Sequence, residues 1–255
     1  MGGRALNKVL AAIDDSAAAR PVLATAHALA PLWDAEVEAV QVAEDGGGTA
    51  RAAADAARVQ LLIVGDGDVA SRLAEACDEP SVMALVIGAR GRPTGRRPAG
   101  HVVWDLITRC EKPVVVVPPD ARVRAQARRV VLALEGTTSS SKGAEPVLEL
   151  SSRAPLEVVA VHVDDEASLP RFSDQVQYET AAFADEFLAR YGCGSARLEL
   201  RVGAPPEEVL EAAEDVGADL IVLAWSRNVA TGRAQFVRHV LAHSRIPVLL
   251  LPAVG

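Results

Sequence analysis

The stretch KVLAAIDDS at residues 8–16 recurs as RVVLALEGT at residues 129–137. Both are short apolar runs that end in a carboxylate, reach Ser or Thr, and continue into a helix-like segment. The next apolar runs, VEAVQV at residues 37–42 and VVAVHV at residues 158–163, keep the same separation. Because this correspondence has no gap over a strand, a helix and a second strand, it indicates one unit present twice in tandem.

Each copy alternates apolar runs with helix-like segments and closes on a proline and four aliphatic residues, in KPVVVVPP (residues 112–119) and IPVLLLPA (residues 246–253). Alternation of this kind is typical of a parallel sheet with right-handed crossovers. The runs are continuously apolar, which favours strands covered on both faces. The predicted fold class is therefore α/β, with two tandem flavodoxin-like domains, each a five-stranded parallel sheet with helices on both faces.

A linker with a double proline and several arginines, PPDARVRAQARR at residues 118–129, separates the two copies. We predict one domain over residues 1–125 and a second over residues 126–255. The last strand of each copy stands at an expected sheet edge, and an exposed apolar edge invites pairing. We expect the two copies to pair through these strands within one chain, and the sequence leaves open whether whole chains also form a homodimer.

The overall composition excludes several classes of protein. The chain has 255 residues and a net charge of -8, from 26 Lys and Arg against 34 Asp and Glu, whereas a general nucleic-acid binder is expected to be basic. No apolar run approaches the roughly 20 residues that span a bilayer, and the start has no apolar core of signal-peptide length. Three distant cysteines outside any CxxC pattern indicate neither a disulfide framework nor a zinc site. We expect a cytoplasmic protein with no membrane or nucleic-acid partner.

A glycine-rich and arginine-rich stretch, IGARGRPTGRRPAGHVVW at residues 87–104, follows the fourth apolar run of copy one. Gly88 and Gly91 bracket a turn where backbone N–H groups can approach an anion, and Gly100 lies where the next helix begins. Four arginines lie between Gly88 and Gly100, at positions 90, 92, 96 and 97. In an open parallel sheet, ligands bind outside the carboxyl ends of the strands where the strand order reverses. The stretch therefore predicts a local anion site near the end of the first strand, at Asp14.

With these residues, the tandem unit and the KPVVVVPP ending, the chain resembles the universal stress protein family, whose domains are of the adenine nucleotide alpha hydrolase-like kind. Nucleotide-binding members carry G-x2-G-x9-G-[ST] after the fourth strand, and an Asp in a DGS-like turn after the first. This chain has Gly88-x2-Gly91, then eight residues to Gly100, then His101 in place of Ser or Thr. Its IDDS turn, residues 13–16, matches the Asp and the Ser and has Asp15 in place of Gly.

The resemblance implies that copy one binds an adenine nucleotide, usually ATP, across the strand tips. Asp14 would meet the adenine, backbone near Val40 and Val42 would line the base, and the glycine loop would hold the ribose and phosphates. His101 either donates a hydrogen bond to a phosphate or plugs the pocket. The predicted nucleotide-binding residues are Asp14, Val40, Val42, Gly88, Arg90, Gly91, Arg92, Gly100, His101 and Val102. The implied function is a stress-response or signalling module without dedicated catalysis, with protein partners that the sequence does not identify.

Copy two departs further from the motif. Ala224 occupies the position equivalent to Gly88, and Arg227 the position equivalent to Gly91. Trp225 adds a bulky side chain beside the strand tip. Each lost glycine adds a Cβ where phosphate would approach the backbone. We predict that copy two has lost its nucleotide site and serves as a structural or regulatory half.

Two other functions stay open at this point. The first is an interaction protein of the same fold that binds no nucleotide. The second is an α/β enzyme on a small anionic substrate, for which Asp14 and His101 form the only candidate pair. A dinucleotide-like stretch, VGDGDVA at residues 64–70, is interpreted as a turn into a helix, because it follows the third strand and carries two carboxylates.

Overall fold

The computed structural model describes residues 6–42, 48–89, 100–134, 155–164, 188–189, 196–227 and 232–252. The described part of copy one contains nine helices and strands. They are β1 (Asn7–Ala12), α1 (Ala19–Leu29), β2 (Ala35–Val42), α2 (Gly48–Ala57), β3 (Gln60–Val64), α3 (Val69–Cys77), β4 (Val82–Gly88), α4 (His101–Arg109) and β5 (Val114–Val117). A 3-10 turn at Ala30–Trp33 connects α1 to β2.

The described part of copy two repeats this order. Its elements are β6 (Arg129–Ala133), β7 (Glu157–Asp164), β8 (Arg197–Val202), α5 (Pro205–Asp215), β9 (Leu220–Trp225), α6 (Arg233–His243) and β10 (Val248–Pro252). The segments of copy two that correspond to α1 and α2 lie almost wholly outside the described residues.

The ten strands form one sheet in the order β3-β2-β1-β4-β5-β10-β9-β6-β7-β8. All neighbours within a copy are parallel, and the two copies join through antiparallel pairing of β5 with β10, where Val115 lies opposite Leu249. The predicted α/β class with two tandem domains is confirmed, and so is the pairing of the last strands within one chain.

Apolar residues fill the space on both faces of the sheet. One core lies under α1 and α2, where Val22, Leu23 and Ala26 of α1 are almost fully buried. The other core lies under α3 and α4, with Leu73 and Leu106 at its centre. Small aliphatic side chains in the strands let the helices approach closely, as the Ala-rich and Val-rich composition requires.

The edge strand β3 departs from the expected burial on both faces. Leu62 is 40 % exposed and Ile63 is 51 % exposed. Among the strands that the structure describes, β3 has one neighbour, β2. An apolar sequence run therefore does not establish burial at the end of a sheet.

Two cysteines that are 33 residues apart in sequence meet in the core between α3 and α4. Cys77 and Cys110 are buried free thiols. The hydrogen bond to Cys110, together with burial, raises the pKa of the Cys77 thiol. Sequence spacing alone did not predict this contact, because it depends on how α3 and α4 pack. The third cysteine, Cys193, lies outside the described residues.

The strand order reverses at β1, which lies between β2 and β4. β1 ends at Ala12, two residues before the carboxylate that closes its apolar run, while β2 continues to Val42. The ladder between these strands ends where Ala12 lies opposite Val40, and one more bond joins Ile13 N–H to the Val40 carbonyl at 2.9 Å. The end of β2 therefore projects beyond β1, and the space above β1 is open.

Candidate functional site

A cavity of about 430 Å³ lies at the carboxyl ends of β1, β2 and β4. Its walls come from both faces of the sheet, with Ala19 and Val22 of α1 on one face and Leu73 and Val103 of α3 and α4 on the other. The cavity occupies the position where ligands bind in open parallel sheets, at the reversal of strand order. Its size falls in the range of about 300 to 1,000 Å³ that is usual for small-molecule sites.

The cavity brings together most of the sequence-predicted site residues that the structure describes. Six of them line it: Asp14, Val40, Val42, Gly88, Gly100 and Val102. Arg90, Gly91 and Arg92 lie outside the described residues. His101 is exposed and is not among the residues that line the cavity.

The Asp14 carboxylate has one oxygen engaged within its own turn. Its Oδ1 accepts hydrogen bonds from the Ser16 N–H at 3.0 Å and from the Ser16 hydroxyl. Asp15 instead accepts from the Ala50 N–H at 2.7 Å and so fixes the first turn of α2. Among the described residues no group bonds to Asp14 Oδ2. A half-buried carboxylate with one free oxygen can accept hydrogen bonds from a ligand in the cavity.

The start of α4 gives the cavity an electropositive border. Gly100 is the N-cap residue, in an extended conformation with φ of -53° and ψ of 154°. A Cβ added at Gly100 would meet no described heavy atom within 4 Å. The N–H groups of a first helical turn lack partners within the helix, and the helix dipole adds positive charge there. An anionic group can therefore approach this end of α4.

His101 lies on the outer side of this helix start. The Ser71 hydroxyl and backbone N–H lower the pKa of Asp68, and Arg109 and His101 add smaller electrostatic contributions. Asp68 is the N-cap residue of α3 and accepts from Ser71 N–H at 2.9 Å. The interpretation of VGDGDVA as a turn into a helix is thus confirmed.

A buried glutamine in the cavity wall was not among the predicted residues. Gln41 is 5 % exposed and lines the cavity, and within the described part of the chain no group bonds to its Oε1. Its counterpart in copy two is His162, whose Nδ1 lies 2.9 Å from the Leu134 carbonyl oxygen. The available signal was a polar residue inside the apolar run VEAVQV, between Val40 and Val42.

The sequence model that describes the universal stress protein family matches residues 48–118 and 126–252. The chain belongs to the universal stress protein family. These two matches account for most of the chain; the first begins at α2 of copy one, and the second takes in copy two. No curated protein matches the chain at a significant level.

Solved structures with the same fold span nearly the whole chain. A functionally unknown protein from Pseudomonas aeruginosa PAO1 is 13 % identical, with a TM-score of 0.71 over 97 % of this chain and 93 % of its own. A universal stress protein from Archaeoglobus fulgidus DSM 4304 is 14 % identical, with a TM-score of 0.67 over 97 % of this chain and 99 % of its own. At these identities the likeness extends to the fold alone.

Within this universal stress protein, copy two uses the position of the glycine loop for contact between the domains. Trp225 follows Ala224, the counterpart of Gly88, and is 1 % exposed. Its indole Nε1 donates to the Ile107 carbonyl of α4 at 2.8 Å. Its ring centroid lies 5.8 Å from that of Trp104. Trp225 therefore points across the junction between the copies and binds the helix that borders the cavity of copy one.

Two further residues complete this contact between the copies. Arg238 of α6 lies over the Trp104 ring, with its Cζ 4.3 Å from the ring centroid. Arg227, the counterpart of Gly91, has a φ of 59° and pairs with Glu111 at 3.3 Å. A left-handed backbone at this position favours glycine, so the conformation of Arg227 is the one that a glycine would adopt most easily.

None of the helices that the structure describes is long and apolar enough to cross a membrane. Within those same residues no group of three His, Cys, Asp or Glu side chains is arranged to hold a metal ion.

Proposed function

We propose that copy one binds an adenine nucleotide, ATP in the first instance, in the cavity at the ends of β1, β2 and β4. The observation that carries this proposal is the position of the cavity, which lies at the reversal of strand order and is lined by Asp14, Gly88 and Gly100. Its mostly apolar walls suit a flat base, and the start of α4 suits a phosphate. The glycine motif of nucleotide-binding relatives, which the sequence resembles, supports the same assignment.

We also propose that the protein acts as a stress-response or signalling module without dedicated catalysis. The only pair of side chains suited to acid-base chemistry that the sequence suggests is Asp14 with His101. His101 is exposed and does not line the cavity that Asp14 lines. The cytoplasm is the compartment we propose, because three cysteines outside any CxxC pattern fit reducing surroundings.

The test begins with the protein as purified. Mass spectrometry of the small molecules released on denaturation identifies any retained nucleotide, and calorimetry with ATP then gives the affinity and the number of sites. We expect one ATP per chain. If ATP, ADP and AMP all fail to bind at millimolar concentration, the nucleotide proposal is wrong, and the alternative of an interaction protein without a nucleotide takes its place.

A further inference from the structure

Copy two contacts the C-terminal turn of α4 through Trp225. The last carbonyl groups of a helix have no partners within the helix. The indole Nε1 of Trp225 donates to one of them, the Ile107 carbonyl, at 2.8 Å. Among the described hydrogen bonds no other donor reaches this carbonyl, and both residues are almost fully buried. A residue of one domain therefore caps a helix of the other.

The opposite end of the same helix forms part of the candidate site. Gly100, Val102 and Val103 line the cavity, and the N-cap residue Gly100 supplies no side-chain cap. The N–H groups of this first turn are the ones that suit a phosphate. Val103 and Ile107 are four residues apart, so they lie on one face of α4, and both are buried. Since α4 has only nine residues, its backbone hydrogen bonds link the capped end to the cavity within a few turns.

A further contact from copy two holds the middle of α4. The ring centroid of Trp104 lies 5.8 Å from that of Trp225 and 4.3 Å from Cζ of Arg238. A guanidinium group over an aromatic face is attracted to it. Trp104 directly follows Val103 of the cavity wall. Two elements of copy two, β9 and α6, therefore fix the helix that borders the cavity of copy one.

We propose that Trp225 is a positioning residue for the nucleotide site: by capping α4 from copy two, it holds the N-terminal turn of that helix where the phosphate binds in copy one. This inference rests on the nucleotide site proposed above. Without the cap, α4 loses a contact that fixes it along its axis, and its N–H groups are no longer held at one distance from the phosphate. The attraction between a helix terminus and a charge falls off within a turn, so the loss concerns the phosphate and not the base.

Calorimetry with ATP and with adenosine on the full chain tests this role. Trp225→Phe keeps an aromatic ring and removes the N–H donor. At a temperature where the variant is fully folded, it should lower ATP affinity about fivefold, the size of one anion contact at a helix N-terminus. Adenosine has no phosphate, so its affinity should stay within about twofold of the wild type. The matched control Trp33→Phe, at a buried position outside the cavity wall, should change neither affinity.

A general loosening of the domain would lower both affinities alike, so equal losses for ATP and adenosine in Trp225→Phe would overturn the inference. An ATP affinity equal to that of the wild type would overturn it as well.

Tryptophan fluorescence gives a second measurement that needs no change at the junction. The chain has three tryptophans, so in Trp33→Phe all tryptophan emission comes from Trp104 and Trp225. Because coupling between two sites is reciprocal, a phosphate held by the first turn of α4 should shift this emission. Saturating ATP should therefore change the spectrum, and saturating adenosine should leave it unchanged. A spectrum that is the same with and without ATP would refute the coupling.

Failure of this inference can be distinguished from failure of the nucleotide proposal. If wild-type protein binds neither ATP nor adenosine, both are wrong. If ATP binds to the wild type and to Trp225→Phe with the same affinity, the nucleotide site stands and the role of Trp225 is refuted.

Discussion

Replacing Trp225 by Phe should destabilise the whole chain, because Trp225 joins the two copies through a buried hydrogen bond. The change removes the donor to the Ile107 carbonyl, and it leaves that carbonyl without its indole partner among apolar side chains. A buried acceptor that loses its partner costs about 1–3 kcal/mol. The smaller ring adds about 1 kcal/mol of lost burial. We therefore expect the free energy of unfolding to fall by about 2–4 kcal/mol.

The matched control is Trp33→Phe, the same change at another buried tryptophan. Among the described hydrogen bonds none involves the Trp33 indole, so this variant should lose only the burial contribution, about 1 kcal/mol. Urea unfolding followed by far-ultraviolet circular dichroism gives both values without using tryptophan fluorescence, which the substitutions themselves change. If Trp225→Phe costs no more than Trp33→Phe, the hydrogen bond across the junction does not stabilise the protein and the reasoning fails.

Three further predictions concern the cavity and its surroundings. Gly88→Val should reduce ATP affinity at least about tenfold in calorimetry, because it places side-chain atoms where the phosphate approaches. The control Ala224→Val, at the equivalent position of copy two, should leave ATP affinity unchanged. Equal losses in the two variants would show that the site is not confined to copy one. His101→Ser should leave ATP affinity within about twofold of the wild type by calorimetry, because His101 is exposed and does not line the cavity. A loss of about tenfold would show that this residue contacts the nucleotide. The Ser71 hydrogen bonds lower the pKa of Asp68 in the folded protein below its ordinary value of 3.8. The ionised carboxylate therefore stabilises the fold above about pH 3.8, and this stabilisation is lost as the pH falls through the lowered pKa. The difference in melting temperature between wild type and Asp68→Asn should therefore shrink below pH 3.8, and a difference that stays constant to pH 2 would contradict this.

The repeat in the sequence predicted the fold because both copies obey the same local rules. Apolar runs of four to eight residues alternate with helical periodicity in each copy, and that order is typical of a parallel sheet with helices packed on it. The pairing of β5 with β10 was also predictable, because two apolar strands at sheet edges need a partner. The end of β1 at Ala12, two residues before Asp14, was not predictable from hydrophobicity, since the last apolar residue of the run lies beyond the strand ladder.

The candidate site was predicted in part, through residues whose chemistry is visible in the sequence. Glycines and carboxylates that follow strands identified Asp14, Gly88 and Gly100, which the fold places around one cavity. Gln41 was missed because the sequence does not show what a polar residue in a strand faces across the sheet. The role of Trp225 was missed for a related reason, since its partner Ile107 belongs to the other copy.

The antiparallel junction between β5 and β10 has an evolutionary consequence. In a dimer of two identical subunits paired in this way, every substitution would occur in both subunits. A bulky residue that strengthens the contact from one subunit would then also stand beside the strand tip that forms the cavity in the other. In the tandem chain the two positions vary independently, and Trp225 occurs in copy two while Ala89 occupies the equivalent position of copy one. A tandem arrangement therefore allows copy two to carry a residue that binds the other domain while copy one keeps an open strand tip.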